Sequence, residues 1–220
     1  MKHPFRMSAD LKIKVCGIRD QASELDRLGV DYIGHIFWEG SSRHLTDEAS
    51  KPFKEQQLNA KRVGVFVNPS IEEIQHRCEK YALDAVQLHG AESPDFCKGL
   101  RSAFEGEIWK AFAVDESFDF ESTKPFEDVI EQFVFDARGK LPGGNGTAFN
   151  WSLLETYEGS TAYLLSGGIG PGSIDEIQAF MHTPYAKKCV GLDLNSKFEI
   201  RPGEKDIAKL ANFIKQIKAL

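Results

Sequence analysis

The sequence predicts an α/β fold: a single barrel of eight parallel strands closed on itself inside a ring of helices. Three observations point there. From Leu11 onward, strand-length apolar runs alternate with helical patterns with little slack between them. Eight such runs can be found, whereas an open doubly wound sheet would be satisfied with about six. The last two runs stop at small residues, Gly167-Gly168 and Asn195-Ser196. A (β/α)8 TIM barrel builds its phosphate site at the ends of those two strands.

The elements follow in order. The first strand is Lys12–Cys16, and the helical pattern Gln21–Leu28 comes after it. Tyr32–Phe37 is the second strand, followed by a helix over Thr46–Gln57. Arg62–Val67 leads to Ile71–Tyr81, whose start is marked by Ser70 before Ile71-Glu72-Glu73. Ala85–Leu88 leads to Pro94–Ala103, with Ser93 in the capping position and proline in the first turn. Ile108–Ala113 is the fifth strand, but Ser117–Glu127 is at best a short helix, so the fifth helix is expected weak or shortened. Phe133–Asp136 runs into the glycine-rich stretch Lys140–Asn150 and a short helix near Trp151–Thr156. Ala162–Leu165 precedes the helix Ser173–Met181, and Cys189–Leu194 precedes a helix over Glu204–Lys218.

With 220 residues, each βα unit has about 27, compact for a barrel that typically takes ~250, so little room remains for inserted domains. Residues 1–10 are polar and lack periodicity, which predicts a flexible leader before a catalytic barrel over 11–220, with Met7 a possible alternative start. The net charge of −6 and the absence of a basic tract argue against nucleic acid as a partner. No secretory signal, transit peptide or membrane-length apolar run is present, so the expected setting is the cytoplasm, without a membrane partner. Cys16, Cys78, Cys97 and Cys189 form no Cys-x-x-Cys pair and no zinc spacing, so they are expected as thiols with no metal site. Cys78, Cys97 and Cys189 read as small buried apolar residues.

Period-two alternation puts Lys14 with Cys16, Ala85 with Gln87, Val134 with Asp136, and Gly191 with Asp193 on common faces. Polar groups ending apolar strands belong at the barrel's C-terminal mouth, where such folds carry their chemistry. A lone Asp there is usually a turn or cap residue. Four polar positions converging on one rim indicate a site. Around Gly167 and Gly168 the backbone can approach a ligand closely, and consecutive N–H groups near a helix start favour an anion.

At these residues the sequence resembles the phosphoribosylanthranilate isomerases over nearly all of Lys12–Lys215. The blocks are Lys14-Val15-Cys16-Gly17-Ile18, Gly34-His35-Ile36-Phe37 leading to Ser42-Arg43, Val63–Asn68 and Val86-Gln87-Leu88-His89-Gly90. Asp136 follows, then Gly143-Gly144-Asn145-Gly146-Thr147 and Phe149-Asn150-Trp151. The set closes with Leu165–Ile169, Gly191–Ser196, Glu199, Pro202-Gly203 and Lys205-Asp206. The resemblance implies an Amadori rearrangement of a phosphosugar substrate, in a monomer or homodimer. That chemistry needs two proton movers and neither cofactor nor metal. By the resemblance Cys16 is the general base at the sugar C2, and Asp136 is the general acid at the ring oxygen.

Free cysteine is mostly thiol at pH 7 and free aspartic acid mostly ionised, so the site must shift both. Lys14 is expected either to favour a Cys16 thiolate or to be tied up in a buried ion pair with Asp136 or Asp193. An apolar wall including Phe37 is expected to favour neutral Asp136. The substrate phosphate belongs with Gly167, Gly168, Asn195 and Ser196, and the resemblance implies that Arg43 takes the anthranilate carboxylate. Gln87 and His89 are expected to line the mouth, His89 more as a satisfied structural histidine than a proton mover. Asp193 is expected to orient the site or bond the sugar. The segment Gly143–Thr147, with Gly144, is expected to cover the ligand. His35 replaces a common Phe and predicts altered packing near the anthranilate, while Lys197 replaces a frequent glycine beside the phosphate.

Two other enzymes are alternatives. An indole-glycerol-phosphate synthase-like lyase needs an inward lysine pair, for which Lys110 is of ambiguous facing. A ribulose-phosphate epimerase wants metal-binding His and Asp on several strands, which the six histidines do not supply. A non-catalytic phosphate-binding barrel would need neither Cys16 nor Asp136.

Overall fold

The computed structural model describes residues 11–46, 57–137 and 149–220. Eight parallel strands close into a barrel in sequence order: β1 Lys12–Cys16, β2 Tyr32–Ile36, β3 Lys61–Phe66, β4 Ala85–Leu88, β5 Glu107–Val114, β6 Gln132–Ala137, β7 Tyr163–Leu165 and β8 Cys189–Leu194. The first strand pairs the last, with Lys14 opposite Asp193, and so shuts the sheet. The helices are α1 Ala22–Arg27, α2 Ile71–Tyr81, α3 Pro94–Arg101 and α4 Ile174–Met181, with α5 Ile207–Ile217 after the last barrel strand.

Two apolar layers follow from strand alternation. Tyr32, Val63, Ala85, Trp109, Ala111, Val134 and Leu164 fill the inside of the barrel. The other face of each strand packs on the helices in one continuous core, including Ile13, Val15, Ile33, Val86, Phe135 and Leu192. Burying a side chain of that size is worth roughly 1.5–3 kcal/mol. Local signals fix the helix ends. Ser70 Oγ accepts from Glu73 N and Ser93 Oγ from Phe96 N, both at 3.1 Å, so each helix begins where its cap stands.

The fifth connection is a 3-10 turn over Phe120–Phe126 with Pro125 inside it, in line with the shortened helix expected there. A second 3-10 turn covers Trp151–Thr156. The helix expected over Glu204–Lys218 needs correction at its start. Glu199–Arg201 (β9) and Glu204–Lys205 (β10) form an antiparallel hairpin, and α5 starts only at Ile207, after the Asp206 side chain caps Lys209 N at 3.0 Å. The expected leader 1–10, most of the helix Thr46–Gln57 and the segment Gly143–Thr147 with Gly144 lie outside the described residues. Among the described residues, no helix is long and apolar enough to cross a membrane.

Candidate active site

The C-terminal ends of the strands surround one cavity. It is lined by Cys16 from β1, Gln87 and His89 from β4 and just beyond it, Asp136 from β6, and Asp193 from β8. Arg43, Gly167, Gly168, Asn195 and Ser196 contribute from the loops. Every predicted site residue among the described residues therefore meets here. The space amounts to about 670 Å³ with its open mouth, within the range of small-molecule sites.

Cys16 and Asp136 face this cavity by the period-two rule. Gly34, opposite Cys16 in the register, makes room for the thiol: a Cβ at Gly34 would lie 2.8 Å from Cys16 Sγ. Gly167 does the same for the acid. With φ at +85°, its backbone wedges against β6, and a Cβ there would lie 2.5 Å from Ala137 N and 3.0 Å from Asp136 Oδ1. The sequence reading gave neither glycine this role, although period two puts Gly34 on the same inward face as Tyr32.

Burial raises the Asp136 pKa to about 6, and the Asp193 carboxylate pushes the same way. The Ser166 hydroxyl and the Ala137 N–H, both bonded to Asp136, oppose them. The expected Phe37 wall is wrong. Phe37 follows β2 on the outer side of the barrel, stacked at 5.3 Å on Phe66 and at 4.9 Å from Tyr81. For Cys16 the expected depression also fails: burial raises the thiol pKa, outweighing the pull of Lys14. Of the two roles expected of Lys14, the buried ion pair with Asp193 is present, its Nζ donating to Asp193 Oδ2 at 2.8 Å. That bond and Coulomb attraction keep Lys14 protonated in spite of burial.

Asp193 Oδ1 and Gln87 Oε1 are buried acceptors with no hydrogen-bond partner among the described residues. Both are placed to take a hydroxyl or amine donor from a ligand. His89 Nε2 stands 3.5 Å from Asp136 Oδ2. Burial, then Lys110 and Lys14, lower its pKa to about 3, so the ring is neutral at neutral pH. Arg43 is not the solvated loop residue its position suggests. Its Nε and Nη2 donate to Glu199 Oε1 and Oε2 at 2.9, 3.0 and 2.6 Å.

Gly167 and Gly168 both have positive φ, +85° and +69°, which turns the chain after β7 toward the cavity. Two expectations about neighbours are corrected. His35 lies on the outer face of β2, where its Nδ1 meets Ile18 O at 3.3 Å, so it does not touch the cavity. Lys197 packs its stem on Gly170 and does not line the cavity. Lys110 also points outward, its Nζ on Glu92 Oε2 at 3.1 Å, so it does not join the inward Lys14 to make the lysine pair that a lyase would need.

Residues 13–216 match the family model described as N-(5'-phosphoribosyl)anthranilate (PRA) isomerase. A Parabacteroides distasonis protein named N-(5'-phosphoribosyl)anthranilate isomerase is 44% identical over 209 residues, 93% of this chain and 92% of its own length. The phosphoribosyl anthranilate isomerase structure from Thermotoga maritima superposes with a TM-score of 0.80 at 28% identity, covering 96% of this chain and 100% of that one. A phosphoribosyl anthranilate isomerase structure in complex with reduced 1-(o-carboxyphenylamino)-1-deoxyribulose 5-phosphate gives 0.77 at 27% identity, covering 96% and 100%.

Proposed function

The chain belongs to the N-(5'-phosphoribosyl)anthranilate isomerase family, and from that premise we propose how its own residues carry the reaction. The reaction is an aldose–ketose isomerisation of tryptophan biosynthesis, the Amadori rearrangement of N-(5'-phosphoribosyl)anthranilate to 1-(2-carboxyphenylamino)-1-deoxyribulose 5-phosphate. One observation carries the reading: a thiol and a carboxyl with a raised pKa border the same cavity.

Asp136 in its protonated form gives a proton to the furanose ring oxygen, and the C1–O bond opens to an iminium. Cys16 as thiolate takes the proton from C2, and the electron pair forms the enolamine. The enolamine relaxes to the ketone. The substrate gains a proton at oxygen and loses one at C2, so its composition is unchanged, and exchange with solvent resets the pair. The active ionic form thus differs from the dominant one by moving a proton from Cys16 to Asp136. Lys14 and Lys205 favour the thiolate half of that transfer, and the Asp193 carboxylate favours the protonated Asp136 half.

The substrate spans the cavity with its phosphate on the backbone amides around Gly167, Gly168, Asn195 and Ser196. Its anthranilate carboxylate meets Arg43. Asp193 and Gln87 hold the sugar hydroxyls, and His89, neutral, supports Asp136. The protein works in the cytoplasm as a monomer or homodimer. The test is to mix it with N-(5'-phosphoribosyl)anthranilate and follow the loss of anthranilate fluorescence. Turnover without added metal or cofactor supports the reading, and no turnover by folded protein contradicts it.

A further inference from the structure

Beside the cavity lies a buried charged cluster in which the mechanism leaves Glu199, and the bonds that join its members, without a role. Glu199 accepts the Arg43 fork and, on Oε1, Lys205 Nζ at 2.8 Å and Gly203 N at 3.1 Å. Lys205 Nζ also donates to Asn195 Oδ1 at 2.7 Å. The side chains of Lys205 and Glu199 are 0% and 5% exposed. We propose that Glu199 and Lys205 are positioning residues, holding Arg43 and Asn195 in one bracket that fixes the distance between the two anion sites of the substrate. The proposal rests on the reading that Arg43 takes the carboxylate and Asn195 belongs to the phosphate site.

The chain is built to make this cluster. The β9–β10 hairpin sets Lys205 directly opposite Glu199. Gln21 grips the Lys205 main chain at both ends, accepting from its N at 2.6 Å and donating to its O at 3.0 Å. Gly17, the residue after Cys16, is threaded between the two arms. A Cβ there would lie 2.7 Å from Arg43 Cδ and 3.0 Å from Asn195 Oδ1. The bracket therefore also borders the backbone that carries the thiol.

Charge gives the cluster its purpose. Two cations share one carboxylate, so the cluster is short of negative charge, and burial lowers the Lys205 pKa in spite of Glu199. Burying unmatched charge is unfavourable for folding alone, and it suits a site that receives an anion. Burial by itself would raise Glu199, but Arg43 and Lys205 hold it below the ordinary carboxylate range, so it stays ionised between them. Lys14 offers no comparable surplus, because Asp193 matches it.

The test uses anthranilate and inorganic phosphate as separate competitive inhibitors, one for each anion site. Glu199→Gln keeps the shape and removes the charge that ties both arms. It should weaken both inhibition constants about tenfold and put the loss mainly on KM rather than kcat, as expected when charge-assisted bonds that position binding groups are lost. Lys205→Met frees Asn195 but leaves the Arg43 fork, so phosphate inhibition should weaken more than anthranilate inhibition. This second variant carries the test should Glu199→Gln fold poorly by near-ultraviolet circular dichroism. Wild-type constants for both inhibitors in folded Glu199→Gln or Lys205→Met overturn the bracket. An Arg43→Ala variant that keeps wild-type anthranilate inhibition would instead strike the assignment of Arg43 to the carboxylate.

Discussion

Asp136 can act as an acid because water is kept from its carboxyl. Burial, helped by the Asp193 charge, lifts its pKa from 3.8 to about 6. A carboxyl raised on folding contributes stability that is fully present below about 3.8 and is lost as the pH climbs through about 6. At pH 8 the folded protein therefore carries an ionised group it would rather keep neutral. Asp136→Asn, which cannot ionise, should gain on the wild type by ~2 kcal/mol at pH 8 relative to pH 4. Urea unfolding at the two pH values measures this, and an equal difference at both would contradict the assigned environment. Residue identity in the sequence indicates which groups can move protons. The direction of their shifts depends on burial and neighbours that no spacing reveals, and at Cys16 burial outweighs the pull of Lys14. Lys14 does sit on its inward face, but Asp193 from the far end of the chain holds the ammonium.

Strands and loops set the site's tolerances. Gly34 on β2 leaves space that the Cys16 sulfur fills, so Gly34→Ala should cut kcat/KM at least about tenfold by displacing the thiol, while the barrel stays folded. Steady-state kinetics with circular dichroism checks this, and unchanged kinetics would show that the sulfur does not need that gap. The eight strands were readable almost to the residue because each is an apolar run bounded by turn residues. The β9–β10 hairpin was not. Glu204 and Lys205 are ordinary helix formers, and only pairing with Glu199 and Arg201 makes them a strand. His35 was misjudged for a different reason. The alternation that puts Tyr32 and Gly34 inward sends His35 outward, a signal present in the period, whereas the expectation rested on the Phe common at that position.

Closure of the whole barrel brings together groups that are far apart in the chain. Pairing β1 with β8 sets Lys14 beside Asp193 in the interior, and the same closure carries Asp136 to the rim that holds Cys16. Removing one partner leaves the other charge buried and unmatched. Lys14→Met should therefore destabilise the protein by ~3–5 kcal/mol, and adding Asp193→Leu should recover most of the loss. Urea unfolding of the single and double variants decides, and additive losses would mean that the pair is not coupled. The rim set was legible because each strand end carries its own polar or glycine residue. The buried bracket behind it was not, since its members look like surface charges until the fold encloses them. The acid–base assignment is tested most directly by kcat for Cys16→Ala and Asp136→Asn, with binding of reduced 1-(o-carboxyphenylamino)-1-deoxyribulose 5-phosphate measured alongside. Each variant should bind the analogue and lose at least about a hundredfold in kcat. Turnover near the wild-type rate in either would contradict the role given to that residue.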